Sequence, residues 1–575
     1  MKTPGVATRS FLVLALSLGI APAQDGPGPL RMRAYDVRDI VRREPAYVPA
    51  AFVDATSMPC VDDTAEDADS AVDIADLVTL VVMATGYPYW DGDGVEIRAE
   101  DSGFLAIVCD EQMHAQVRNA LGKLRGLLFE PVLIEVHELP GSVLRQRSAV
   151  LSATEADALL AEVGEHRVHA GRANPRRPLL LESKRIENHV TGLKMLVAQN
   201  AAAPDLKVAT DNYGSSWQVR TERTLDDSLL VTFSGSERAL EPGPVCSLPV
   251  ANGDVAAVEL PAVRIATCHS SAYLHPGQAL LLGSDAPGGG AFCVRIQRTA
   301  AVGELDLGEV VAYPVANLVR GAAVPIDLPV PYGDVGLFPE LDEEPLPTVF
   351  DDGRLVEWLT SQVDPATWDG SPNTMSFAND HLFVSAPAAT QKAIVEQLQA
   401  LQSLDARQFV LEVAFGEVPK DTPKALAGVA AEQLAAALPQ RCTAVVSPSR
   451  AARLSATWHT PIVADSDVVI AAGSAATTSK LDSITKGFLL RAGVASMDRG
   501  AVLLDLNFAM LGHSGERALL AQPAVGFAPV DRIDVRDHRV RGATAVTVGE
   551  WTVLQLAPVA GGRGHVGVVA RLRST

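Results

Sequence analysis

Aromatic side chains are scarce in this chain: Phe, Trp and Tyr make up 5% of its 575 residues. That weighs against a platform that stacks nucleic-acid bases or sugar rings. Positive charge is also short, with 48 Lys and Arg against 69 Asp and Glu and a formal charge of -21. A surface of that sign repels phosphate backbones and anionic lipid, so neither is an expected partner. The six cysteines (Cys60, Cys109, Cys246, Cys268, Cys293 and Cys442) include no CxxC pair and no metal spacing. Two readings stay open for them: disulfides, with Cys246, Cys268 and Cys293 the first candidates, or buried free thiols. Long apolar runs are missing after the first residues, so no helix is expected to span a membrane.

The one early apolar run, "FLVLALSLGI" (Phe11 to Ile20), follows Lys2 and Arg9 and precedes Ala21-Pro22-Ala23. Positive start, short apolar stretch and small residues together read as a secretory signal. Cleavage after Ala23 would remove Lys2 and Arg9 and no acid, taking the charge from -21 to -23. The protein is expected to be exported.

What the chain does have is repetition. "FLAIVCDEQMHAQVRNALGKLR" (Phe104 to Arg125) has a look-alike in "HLFVSAPAATQKAIVEQLQALQ" (His381 to Gln402). In the first, "LAIV" suits a buried strand, Asp110 can cap a helix, and Met113, Val117, Leu121 and Leu124 fall at helical spacing. In the second, "LFV" is the strand, Ser385 and Pro387 mark the helix start, and Ile394, Leu398 and Leu401 make the stripe. "PVLIEV" (from Pro131) and "FVLEV" (from Phe409) are the strands expected to close each module. Leu105 to Val136 aligns with Leu382 to Val413 without a gap, and Trp90-Asp91-Gly92 recurs as Trp368-Asp369-Gly370. A gapless match of this length points to a duplicated α/β module.

The tails correspond too. The stretch from Gly214 to Leu240 resembles that from Gly487 to Leu519, each alternating around a charged turn and ending in Glu-Arg-Ala-Leu. Ser271 to Gly283 echoes Ala543 to Leu556, a strand-Gly-strand hairpin in both. The expected fold is α+β, as two tandem units. Its divisions are a signal peptide (1–23), an α/β module with "YDVRDIV" as lead-in (24–140) and a β-rich domain (141–323). A Pro-rich linker (324–347), a second α/β module (348–418) and a second β-rich domain (419–575) follow. The acidic stretch from Val61 to Asp73 reads as a solvated loop.

No stretch carries a complete catalytic or metal signature. "DGDGVE" (Asp91 to Glu96) has Val95 where a calcium loop needs an oxygen ligand, so it reads as a turn. His166 and His169 lack a third ligand nearby apart from Glu162 and Glu165. His114 is placed on a polar helix face and has Gln391 as its counterpart. "GHSGE" around Ser514 is not the G-x-S-x-G elbow of a serine hydrolase. "SDAPGGGAF" (Ser284 to Phe292) lacks the P-loop Lys-Ser/Thr and reads as a flexible hairpin tip. Asp226/Asp227 and Asp351/Asp352 are sequence neighbours that would point apart on a strand. No catalytic, metal or cofactor residue is assigned, and no candidate occurs in both copies.

The order strand, "QVRNALGKLR" helix, strand, then β domain resembles the bacterial secretins of type II and type III secretion. "YDVRDIV" is similar to the opening of that family's N-terminal domain. "TPIVADSDVVIAAG" (from Thr460) and "ITKGFLLRAGVASMDRGAVLLDLNFAM" (from Ile484) resemble the front half of the secretin domain. The resemblance implies ring-building modules and an envelope location, periplasmic or at the outer membrane. It departs from the family in having two β domains and no gate segment rich in Pro and Gly between paired strands. The expectation is a non-enzymatic structural component of protein secretion that associates with itself or with other envelope proteins. Association would use an open sheet edge and an apolar helix flank. Two other classes are a monomeric extracytoplasmic binding protein on this fold and an exported hydrolase using Ser514 or His166/His169.

Overall fold

A computed structural model of the chain describes residues 29–41, 72–100, 103–128, 131–173, 178–198, 201–226, 228–243, 245–249, 255–298, 310–319, 350–368, 373–378, 381–419, 429–448, 450–471, 474–496, 501–513, 518–519, 531–532, 535–559 and 564–575. The signal stretch, most of the acidic loop, the Pro-rich linker, "DGSP" (from Asp369) and Ser514 lie outside the described residues.

The chain opens with β1 (Arg31–Asp36), α1 (Arg38–Val41), α2 (Ile74–Thr85), α3 (Tyr87–Trp90), β2 (Glu96–Glu100), β3 (Phe104–Cys109) and α4 (Glu111–Leu128). Asp73 starts α2 by accepting from the Ala75 N–H at 2.7 Å, and Gly86 at φ 93° ends it. Asp110 starts α4 in the same way, accepting from the Met113 N–H at 2.8 Å. The strands pair antiparallel in the order β1-β3-β2. Met113, Val117, Leu121 and Leu124 of α4 bury in one cluster with Leu77 and Val81 of α2 and with Leu105 and Ile107 of β3. The stripe read from the sequence is therefore the face of α4 that meets the core.

Next come β4 (Val132–Leu139), β5 (Val150–Leu151), α5 (Ala153–Val163), β6 (Arg167–Ala173), β7 (Leu179–Ala198), β8 (Ala201–Arg223) and β9 (Leu229–Glu241). They are followed by β10 (Val245–Pro249), β11 (Val255–Glu259), β12 (Ala262–Leu274), β13 (Ala279–Ser284) and β14 (Ala291–Arg298). A second three-stranded sheet then forms from β15 (Val310–Pro314), β16 (Thr374–Ala378) and β17 (His381–Ser385), with α6 (Ala316–Val319), α7 (Asp352–Gln362) and α8 (Ala388–Asp405). Its order, β15-β17-β16, is that of the first. Asp351 caps α7 through the Arg354 N–H at 2.7 Å, and Ile394 and Leu398 of α8 are fully buried. Trp90 Nε1 donates to Thr85 Oγ1 at 2.9 Å, and Trp368 Nε1 donates to the Val363 carbonyl at 2.8 Å. Phe104–Arg125 and His381–Gln402 thus take the same strand-then-helix form.

The remainder is β18 (Phe409–Pro419), α9 (Val429–Ala437), β19 (Gln440–Val446), β20 (Ala452–Ala471), β21 (Ser474–Ser496), β22 (Ala501–His513), β23 (Ala518–Leu519), β24 (Asp531–Arg532), β25 (Val535–Thr547), β26 (Trp551–Pro558) and β27 (Gly564–Ser574). The chain is a mixed α+β protein in which strand dominates.

Three sequence expectations are corrected here. The strands expected to close the modules do not join them: β4 pairs with β14 and β6, and β18 with β19 and β27. Both bury apolar residues on two faces. Ile134 and Val136 face the main core while Leu139 packs under α5, and Val413 and Phe415 face it while Ala414 and Val418 pack under α9. Such strands need cover on both sides, which a large sheet inside a sandwich provides. The two Glu-Arg-Ala-Leu stretches are not equivalent either. Glu237–Leu240 lies in β9, whereas Ala518–Leu519 is β23 and pairs with β24.

The third concerns the β-rich segments, which do not form two separate sheet systems. One sheet of eight strands runs β25-β22-β21-β20-β12-β9-β8-β7, and one of nine runs β26-β27-β18-β19-β13-β14-β4-β6 with β5 beside β13. Both cross from one half of the chain to the other. The core between them mixes Trp217, Phe233 and Phe292 from the first half with Phe415, Phe488 and Phe508 from the second. Within the eight-stranded sheet, β8 and β21 each carry a left-handed glycine, Gly214 at φ 129° and Gly487 at φ 132°. A Cβ there would stand 1.9 Å from the Ser183 carbonyl oxygen and 2.0 Å from that of Ala456. Only glycine fits either position.

Candidate functional site

The candidates singled out from sequence do not converge. His166 and His169 are directed to different partners. His166 Nδ1 donates to the Gly164 carbonyl at 2.6 Å, leaving its Nε2 to accept from His137 Nδ1 at 2.9 Å. His169 Nε2 bonds the Glu138 carboxylate at 2.9 Å, beside Ser215 Oγ at 3.5 Å. Neighbouring residues of β4, His137 and Glu138, point to opposite faces of the sheet, so the two histidines are held apart. Sequence reading missed His137 because its partner is 29 residues away. Burial, then His166 and Arg295, pushes the His137 pKa down to about 4.

His114 is fully buried, not on a polar face. Its Nε2 lies 2.9 Å from the Arg31 carbonyl, which can only accept, so Nδ1 accepts from Tyr35 Oη at 2.8 Å. The counterpart repeats this with an amide: Tyr313 Oη donates to Gln391 Oε1 at 2.6 Å, and Gln391 Nε2 donates to the Val384 carbonyl at 2.8 Å. Imidazole and carboxamide do the same structural work, tying helix to sheet. Asp226 takes bonds from Thr224 Oγ1, Ser228 Oγ and the Ser228 N–H. Burial opposes its charge, but those donors hold its pKa below the usual carboxylate value. Asp227 lies outside the described residues. "DGDGVE" forms a turn with Gly94 at φ 78° leading into β2. Among the described residues, no three His, Cys, Asp or Glu side chains gather as a metal site.

Cys109, Cys268, Cys293 and Cys442 are free and buried, which corrects the disulfide candidacy of Cys268 and Cys293. Burial pushes the Cys109 thiol up to about 11 and Cys293 to about 12, so neither is a thiolate at neutral pH. Cys60 and the side chain of Cys246 lie outside the described residues.

What the fold does bring together is its own two halves. In the eight-stranded sheet β12 pairs antiparallel with β20, from Val263↔His459 to His269↔Arg453. In the nine-stranded sheet β13 pairs with β19 through Gly283↔Thr443 and Ser284↔Cys442. The Gly-rich β13–β14 tip, expected to be flexible, is pinned at this joint. Asp285 accepts from the Arg441 N–H at 2.5 Å and from Arg145 Nε at 2.6 Å, and its own N–H donates to the Arg441 carbonyl at 3.0 Å. The α/β modules also meet. Val310 and Phe383, on the outer face of the second module's sheet, bury in the cluster of the first.

Among the described residues, the outermost strands of these sheets are β7 and β25 in one and β6 and β26 in the other. Exposed large apolar residues among those described include Met32 on β1, Val168 on β6, Ile186 on β7 and Val535 on β25. Charges on the edge strands are satisfied locally, Lys184 by Glu182 at 2.6 Å and Asp537 by Arg539 at 2.7 Å. Near β25 a cavity of about 330 Å³ opens between the sheets, lined by Trp458, Lys486, Phe488 and His538, with Arg536 paired to Glu417 at 3.0 Å. A bare strand edge offers a row of N–H and C=O groups to another strand.

Neither a known protein family nor any curated protein matches this chain by sequence. Comparison with solved structures does find likenesses. They are secretins. The InvG secretin domain β-barrel from the Salmonella SPI-1 injectisome is 11% identical with a TM-score of 0.21, covering 48% of this chain and 89% of its own. Aeromonas hydrophila ExeD is 10% identical with a TM-score of 0.19, covering 95% and 90%. The type II secretin GspD of E. coli K12 is 10% identical with a TM-score of 0.18, covering 95% and 89%. No helix among the described residues is long and apolar enough to cross a membrane, which leaves strands out of account.

Proposed function

We propose that this is an exported, non-enzymatic structural component of a bacterial envelope, built from two tandem secretin-like units and acting in protein secretion by self-association. The observation that carries it is the pair of shared sheets. Strands of one half serve as edge partners for strands of the other, while the outermost edges stay open and bear exposed apolar residues. A chain whose internal contacts run head to tail has unlike surfaces at its two ends, which is the geometry that builds rings. The burial of His137 and of the thiols, which holds both in their neutral forms, supports a scaffold over a catalyst.

Multi-angle light scattering on the mature protein tests this. A discrete particle of several chains is expected, and negative-stain images should show closed symmetry. A strict monomer at high concentration without detergent would leave the extracytoplasmic binding protein as the better reading.

A further inference from the structure

The two halves of the large sheets correspond strand for strand. Lys184 pairs with Gly214 and Thr457 with Gly487, so β7 and β20 are equivalent at a spacing of 273 residues (184 to 457). Leu240 pairs with Val263 and His513 with Val535, so β12 and β25 are equivalent at 272 residues (263 to 535). The turn glycines after these strands, Gly277 at φ 86° and Gly549 at φ 93°, keep the same 272. The joint β12–β20 therefore has a second, unformed version in β25 and β7, the two open edges of the same sheet.

We infer that β25 of one copy of this chain pairs antiparallel with β7 of the next, in the register already used inside the chain by β12 and β20. This rests on the self-association proposed above and names its contact. Carrying Val263↔His459 outward sets Val535 opposite Ile186. These residues are 38% and 57% exposed, the large apolar side chains left bare on the two edges. Ile265↔Thr457 becomes Asp537 opposite Lys184, Thr267↔Ser455 becomes Arg539 opposite Glu182, and Cys268↔Leu454 becomes Val540 opposite Leu181. Two opposite-charge pairs and two apolar pairs result, the combinations that stabilise neighbouring strands. Arg536 falls opposite Arg185, but each already has a carboxylate, Glu417 and Glu187 respectively.

Two other places repeat the pattern. The nine-stranded sheet joins its halves by β13 and β19 and leaves β26 and β6 open at its ends. In the α/β modules Val310 is buried against the first module, while the residue in its place on the first sheet, Met32, is 70% exposed. Three independent surfaces are thus closed once within the chain and open once at its ends. Each chain fills two positions of the assembly, with eight strands in one sheet.

The test is cross-linking of the full chain carrying Ile186→Cys and Val535→Cys, oxidised with copper phenanthroline beside the wild type. Both sites are exposed at strand edges, so the fold should survive. A ladder of covalent multimers is expected from the double variant, covalent dimers only from co-expressed single variants, and nothing beyond wild type from either alone. Self-cross-linking of Ile186→Cys alone would mean edges meeting two-fold and would overturn the register. Absence of a ladder from a chain that light scattering shows to be assembled would overturn it too, leaving self-association intact, whereas a monomer would remove both. As a second measurement, Lys184→Glu should weaken association about fivefold or more, one kcal/mol being roughly that factor. Asp537→Lys added to it should restore association, and failure to restore would count against the pairing.

Discussion

Gly235 lies directly across from Trp217 in the β8–β9 pair, and a Cβ there would stand 2.0 Å from the indole ring. Trp217 is fully buried and stacks near Phe233 and Phe292, so it has nowhere to retreat. Gly235→Ala should cost about 1–3 kcal/mol by overpacking. A urea midpoint equal to wild type would show that the ring can move. His269 and His459 set a pH dependence at the same scale. Burial, then Arg453 for the first and Arg238 for the second, pushes each pKa down to about 4 from 6.5. The unfolded chain therefore takes up these protons first on acidification. Stability is full above pH 6.5 and should be lost as pH falls toward 4. His459→Asn, which can keep a bond to Thr457 or Thr485, should flatten that decline, whereas a curve parallel to wild type would rule His459 out as its source. None of this was legible in the sequence. A histidine between Trp458 and Thr460 carries no mark of burial, and Gly235 matters only because of a ring on the adjacent strand.

The elements divide by how local their causes are. Helices α4 and α8 could be read because a cap and an apolar stripe sit within one stretch: Asp110 with Met113, Val117 and Leu121, then Pro387 with Ile394 and Leu398. Strands β4 and β18 could be read as strands but not placed, since an alternating or two-faced pattern does not name the neighbour. The β13–β14 tip shows the same limit, its glycines suggesting freedom while Asp285 fastens it to Arg441 across 156 residues. Asp285→Ala should cost about 1–3 kcal/mol, because the part-buried Arg441 N–H loses its carboxylate partner. Guanidinium melts of the variant and wild type would decide, and identical midpoints would mean the tip is held by backbone pairing alone. Ile186 and Val535 did leave a trace, each an apolar residue flanked by charges, in "SKRIENH" and "RIDVRDH".

For the whole molecule, the shared sheets mean that neither half should fold cleanly alone. A fragment ending at residue 323 would expose the β12 and β13 edges, and one starting at 348 those of β20 and β19. Each is expected to aggregate or to unfold without cooperativity, and the two co-expressed should recover a soluble pair. Two stable monomeric fragments with separate sharp transitions would contradict that. The shared strand-then-helix form of Phe104–Arg125 and His381–Gln402 was visible in the sequence as two stretches in gapless match. The merging of the β halves was not, since main-chain pairing between distant edges leaves no periodic signature.

Covalent fusion across β12 and β20 also separates two kinds of seam that identical single-unit subunits would have to make with one surface. The inner seam is fixed by the chain itself and sets no pair of opposite charges across it, with Val263, Leu454 and Ala456 all buried. The outer strands carry Lys184, Glu182, Asp537 and Arg539 instead. Selection can then harden one seam and loosen the other independently. If copies join through β25 and β7 as inferred above, screening by salt opens the assembly at every second seam, releasing whole chains and never half of one.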